Sequence, residues 1–191
     1  MQVHLIRHTK PEIAEGICYG QSEVALAHSF PTEKQAILKQ LDLSYDAIFS
    51  SPLLRCTEIA QAITTQHYQL DKRLLEMNFG KWELKSWDDI PPAQLNPWMN
   101  DFIHIKPESG ENLLLLNQRV IEFIKELLTQ SYEKVAIVTH AGVIRIFWAW
   151  ILGIPLQNIF RLRINYGDIY TLRLSSQKAY CTIHAGVLSE Q

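Results

Sequence analysis

The hydrophobic positions of this chain form short unbroken runs alternating with longer amphipathic stretches, the rhythm of an α/β protein. Val3 to Ile6 is a β-rich run of the kind found in strands buried on both faces. Tyr45 to Phe49 and Val135 to Val138 repeat it. Thr32 begins a predicted helix, with Ala36, Ile37 and Leu41 at helical spacing and Glu33 in its first turn. Ser51-Pro52 predicts another, with serine as N-cap, proline at the first helical position, and Ile59, Ala62 and Ile63 as the inner stripe. Glu111 to Gln130 is the strongest helix, carrying Leu113, Leu116, Val120, Phe123, Ile124 and Leu127 on one face. Gly142 to Leu152 follows the third strand as a helix that Gly153 should stop. Asp168 to Leu174 and Ala179 to His184 alternate as a closing hairpin.

Three stretches break the rhythm. Residues 8 to 31 form a loop of functional length, punctuated by Pro11, Gly16, Gly20 and Pro31. Residues 68 to 84 hold short strand-like pieces around Glu76 and Gly80. Residues from about 84 to 110 read as an irregular insertion rich in proline and tryptophan.

The expected fold is therefore α/β: a three-layer α/β/α sandwich on a mostly parallel central sheet, as one domain over residues 1–191. Its strand-then-helix units are residues 3–41, 46–65 and 135–152. Right-handed crossovers put every strand-to-helix turn on one edge of the sheet, where open α/β sheets bind ligands. Arg7, His8, Arg55 and His140 all fall in or just after those turns.

The composition narrows the partners. A formal charge of −2 gives no footprint for nucleic acid or an anionic membrane, so any anionic substrate must be drawn by a local arginine cluster. The longest apolar stretch, Ile146 to Ile154, is too short to span a bilayer. The three cysteines, Cys18, Cys56 and Cys181, form no C-x-x-C pair, so neither a disulfide framework nor a structural zinc site is expected. Free thiols suit a reducing cytosol, and the strand pattern begins too early for a signal peptide. The expected location is cytoplasmic, and a homodimer is left open.

Those rim residues fit phosphate chemistry. A phosphomonoester carries about −2 charge near neutral pH. Arg7 and Arg55 can each offer it a planar fork. A lone arginine of this kind is ordinarily a surface ion pair, and only the shared rim argues otherwise. His8 is the candidate nucleophile, attacking phosphorus in line to give a phosphohistidine. Its second ring nitrogen then needs a fixed partner, such as a carbonyl in the 8–27 loop. His140 would donate to the phosphoryl oxygens, and the helix N-terminus beginning at Ala141-Gly142 favours an anion.

The leaving alkoxide needs a proton, for which a carboxylic acid is the usual donor. Glu76, flanked by Leu75 and Met77, is expected to be part-buried. The residues alone do not separate it from Glu12, Glu83 or Glu111. His4 reads as a hydrogen-bonded core residue. Phe79, Trp82, Trp87, Trp98 and Phe102 are explained by packing of the insertion as well as by a flat-ring pocket.

The motifs carry a resemblance. LIRHT (5–9), SSPLLRCTEIA (50–60), LLEMNFGKWE (74–83) and VTHAGVIR (138–145) together resemble the histidine phosphatase superfamily, in the branch of the cofactor-dependent phosphoglycerate mutases and small phosphatases. The resemblance implies a phosphoglycerate mutase-like fold and no metal or other cofactor. It also implies Glu76 as the acid. RHTKP (7–11), CYGQ (18–21), EMNFGKWE and THAG look most like the α-ribazole phosphatase subgroup of cobalamin nucleotide-loop assembly. By that resemblance Tyr19, Gly20, Gln21 and Ser22, with Ala141, contact the substrate.

The expected function is thus phosphomonoester hydrolysis on a small-molecule substrate. The alternatives are a broad-range phosphatase or a mutase-like phosphotransferase, although the chain looks short for the segments that shield a mutase phosphohistidine. A silent phospho-ligand binding module would not need Glu76. A metallohydrolase lacks a ligand pair, since His4 and His8 straddle a strand and its loop.

Overall fold

Alternation along three buried strands divides the interior into two halves. Strands β1 (Gln2–Arg7), β2 (Ala47–Ser50), β3 (Gln69–Leu70), β4 (Lys134–Thr139), β5 (Ile169–Arg173) and β6 (Thr182–His184) make one sheet, ordered β3-β2-β4-β1-β5-β6, in the computed structural model, which describes residues 1–64 and 67–184. Val3, Leu5, Ala47, Phe49, Val135 and Ile137 face one core; Ile6, Ile48, Ala136 and Val138 face the other. A period of two on both faces is what a strand buried between layers requires.

Helices α1 (Phe30–Leu38) and α2 (Leu54–Ile63) cover the second face through Ile37, Cys56, Ile59 and Ile63. Helices α4 (Leu113–Leu127) and α5 (Ala141–Leu152) cover the first. Between β2 and α4 lies the short α3 (Pro92–Asn100). This is the expected three-layer sandwich. β1, β2, β3 and β4 run parallel, and β5 pairs antiparallel with both β1 and β6.

The six apolar residues named on α4 are all buried, and each stabilises the helix by roughly 1.5–3 kcal/mol. Asn112 caps it, its side chain accepting from Leu115 N–H at 3.0 Å. Gly153 ends α5 at φ 68°, as expected.

Several boundaries differ from the sequence expectation. α1 starts at Phe30, with Pro31 inside its first turn, and Ala36 is exposed. α2 starts at Leu54 rather than at Pro52, and its N-cap is Leu53. Residue 65, the last position of the second expected unit, lies outside the described residues. No strand forms around Glu76. The carbonyls of Arg73, Leu75 and Glu76 accept from the Arg119 guanidinium rather than from a neighbouring strand.

β1 and β4 lie side by side, with Arg7 opposite Thr139. The chain leaves β1 toward α1 on one face and leaves β4 toward α5 on the other. A crevice opens where connections diverge in this way.

Candidate active site

That crevice contains a cavity of about 320 Å³ lined by Arg7, His8, Tyr19, Arg55, Glu76, Ala141, Gly142, Arg145, Tyr166 and a set of apolar side chains. A wider groove, about 910 Å³, runs between α1 and β5 and includes none of His8, His140, Arg7, Arg55 or Glu76.

His8 follows β1 directly and is 2% exposed. Its Nδ1 lies 2.7 Å from the Thr9 carbonyl oxygen, as the loop argument anticipated. A carbonyl only accepts, so Nδ1 carries the proton and Nε2 keeps its lone pair. Burial, then the charges of Arg55 and Arg7, hold this imidazole well below its ordinary pKa of 6.5, against the opposing bond to Thr9. A neutral ring with a bare Nε2 is the nucleophilic form.

Arg55, in the first turn of α2, is fully buried. It donates to the carbonyls of Ser22 at 3.0 Å and Gly20 at 2.6 Å. Arg7 donates to the Ile164 carbonyl at 2.7 Å. The Nε of each arginine is buried without a hydrogen-bond partner, and among the described residues neither pairs with a carboxylate. Two cations beside His8 thus retain their charge for another anion.

His140 occupies the N-cap position of α5 and is fully buried; its ring centroid stands 4.9 Å from that of His8. It lies behind the cavity wall rather than on it. Its Nε2 is 2.7 Å from Ser51 Oγ. Burial is the main cause holding its pKa well below 6.5, followed by the charges of His8, Arg55 and Arg7. Ser51, which the sequence suggests as a helix cap, orients this histidine instead.

Glu76 is half-buried between two single-turn 3-10 segments. Oε1 accepts from Met77 N–H at 2.9 Å and Oε2 from Gly142 N–H at 3.2 Å. The carboxylate therefore occupies one of the α5 N-terminal donors that the sequence reading reserved for substrate. Ala141 does line the cavity.

Of the four residues in the 19–22 loop, only Tyr19 reaches the cavity wall. Gly20 and Ser22 give their carbonyls to Arg55. The amides of Gln21 and Ser22 donate to the Glu83 carboxylate, and Gln21 Nε2 donates to the Glu76 carbonyl at 2.9 Å. A β-carbon on residue 20 would stand 1.9 Å from the Met77 carbonyl oxygen, so the loop packs there only as glycine. Glu83, weighed in the sequence as an acid, anchors this loop.

The aromatic residues pack the insertion, and three of them also line the cavity. Trp82 and Trp98 are buried core residues, with Phe102 packed against the same cluster. Phe79, Trp87 and Trp98 also form one wall of the cavity, with Phe160 and Ile159. Tyr166 and Arg119 were missed in the sequence because nothing local marks them, and Arg145 was missed as well. Arg145 was within reach: it falls four residues after Ala141 on the same helix face.

The comparisons fit this geometry. Residues 3–185 match the model of the histidine phosphatase superfamily (branch 1), and the chain belongs to that family. It is a hydrolase of this metal-independent family. The adenosylcobalamin/alpha-ribazole phosphatase of Escherichia coli (strain K12) is 28% identical over 87% of each chain. The putative phosphoserine phosphatase 2 of Hydrogenobacter thermophilus is 25% identical over 93% of this chain and 92% of its own. The crystal structure of the alpha-ribazole phosphatase from Shigella flexneri superposes with a TM-score of 0.88, at 28% identity, covering 96% of this chain and 95% of that one. Among the described residues no helix is long and apolar enough to cross a membrane.

Proposed function

We propose that this chain hydrolyses a small phosphomonoester through a phosphohistidine on His8. The observation that carries it is the His8 ring: Nδ1 is tied to the Thr9 carbonyl, and among the described residues Nε2 is left bare beside two arginines unpaired with any carboxylate. His8 Nε2 attacks phosphorus, forming a P–N bond as the P–O ester bond breaks. The electron pair goes to the leaving oxygen, which takes a proton from Glu76. Water then attacks phosphorus and gives a proton back to the Glu76 carboxylate, while the P–N pair returns to the imidazole. Arg7 and Arg55 hold the phosphoryl oxygens. Ser51 Oγ, 2.7 Å from His140 Nε2, orients that ring beside His8 as a donor to charge developing on phosphorus.

The proposed substrate is α-ribazole 5′-phosphate. Its support is the likeness to the alpha-ribazole phosphatases and a wall of Phe79, Trp87, Trp98 and Phe160 that suits a flat ring. One observation favours a second reading, a phosphomonoester whose leaving group is acidic, such as phosphoserine. Arg145 lines the cavity, and among the described residues only its Nε is hydrogen-bonded, to the Leu162 carbonyl at 3.0 Å. Comparing kcat/KM for α-ribazole 5′-phosphate, phosphoserine, sugar phosphates and nucleotides tests the choice. A strong preference for the first supports this reading, and a flat profile defeats it in favour of a broad-range phosphatase.

A further inference from the structure

Each arginine at the His8 site is backed by a tyrosine. Arg7 Cζ lies 3.8 Å from the centroid of the Tyr166 ring, and Arg55 Cζ lies 5.4 Å from that of Tyr19. The two phenols meet at 2.6 Å, from segments 147 residues apart in sequence. The Tyr166 ring also tilts against His8, centroids 5.7 Å apart. His8 is 2% exposed and Tyr166 is 38% exposed, so the tyrosine lies on the solvent side of the nucleophile.

The arrangement answers an electrostatic problem. Two guanidinium groups face one cavity with no carboxylate between them, and like charges repel. Backbone carbonyls accept from each one. The negative faces of the tyrosine rings attract them. The phenol–phenol bond joins the two halves into one chain, Arg7–Tyr166–Tyr19–Arg55. Burial, then Tyr166, raises the Tyr19 pKa, so its phenol stays a protonated hydrogen-bonding group.

We propose that Tyr19 and Tyr166 are positioning residues that set the spacing of the two arginines, through a bridge that works only when both phenols are present. The proposal rests on the phosphoryl-binding reading of Arg7 and Arg55. The bridge acts on binding of the phosphoryl group rather than on the leaving group.

The test is a double-mutant cycle of Tyr19→Phe, Tyr166→Phe and the pair. It reads orthovanadate binding by calorimetry, and KM and kcat on p-nitrophenyl phosphate. One hydrogen bond is worth about 0.5–1.5 kcal/mol, or roughly 2- to 12-fold in affinity. Each single variant should weaken vanadate binding and raise KM by that factor, with kcat within about twofold. The double variant should be no worse than either single one, because all three lose the same bond. Independent, multiplying losses overturn the bridge. So does unchanged vanadate affinity with only a lowered melting temperature, which marks a structural contact. Failure of the underlying reading looks different, since the unaltered protein would then bind no vanadate.

Discussion

The carboxylate of Glu76 occupies the space that a side chain at residue 142 would fill. Oε2 accepts from Gly142 N–H at 3.2 Å, and a β-carbon there would stand 2.2 Å from Oε1. Glycine at the second residue of α5 is thus a condition for the acid to reach the cavity. Gly142→Ala should displace that carboxylate while leaving β4 and α5 folded. A misplacement of about 1 Å can cost on the order of 10²-fold. We expect kcat on an ester with a poor leaving group to fall by roughly 10- to 100-fold, toward the 10²- to 10⁴-fold loss expected for Glu76→Gln. An ester whose leaving group needs no proton should be affected far less. Equal losses on both esters would show that residue 142 acts elsewhere.

Ser51 fixes the orientation of the His140 ring through the 2.7 Å bond to Nε2. Leaving a buried nitrogen unsatisfied costs about 1–3 kcal/mol. Ser51→Ala should therefore lower kcat/KM by roughly tenfold, and Ser51→Thr, which keeps a hydroxyl, should recover most of it. Activity unchanged in the alanine variant would remove Ser51 from the account.

The two histidines of the site, His8 and His140, make a stability prediction with a definite sign. Both have pKa values held well below 6.5 in the folded chain. As pH falls through about 6.5 the unfolded chain takes up protons at these positions and the folded chain does not, so acid favours unfolding. Stability should be level between about pH 7 and 8 and fall below about 6.5, by up to ~1.4 kcal/mol per pH unit for each histidine. Urea melts at pH 7.5 and 5.5 measure it, and His140→Asn should flatten part of the slope. A native protein equally stable at both values would mean that these rings are not neutral and buried.

Much of this architecture is legible in the sequence because β1, β2 and β4 are buried on both faces and give nearly continuous apolar runs. The rim positions of His8, Arg55 and His140 follow from where those runs end. The segment around Glu76 was not legible. Its strand-like residues make no ladder, because Arg119 takes their carbonyls from a helix more than forty residues away. The start of α2 was misplaced because Ser51-Pro52 has the chemistry of a helix cap, whereas the serine hydroxyl is committed to His140. Gly20, Gln21 and Ser22 look in sequence like substrate contacts, yet their polar groups go to Arg55, Glu76 and Glu83. Tyr166 carried no local signal at all, since its contacts are with Arg7, His8 and Tyr19.

The central claim is a covalent bond between His8 Nε2 and phosphorus. Mixing the protein with a phosphomonoester, quenching in base and mapping the modified peptide by mass spectrometry tests it directly, because a phosphoramidate survives base and is lost in acid. The account predicts base-stable phosphate on His8 within a single turnover, absent in His8→Ala, which should have almost no activity. Phosphate release at a normal rate by His8→Ala, or label on any other residue, would contradict it.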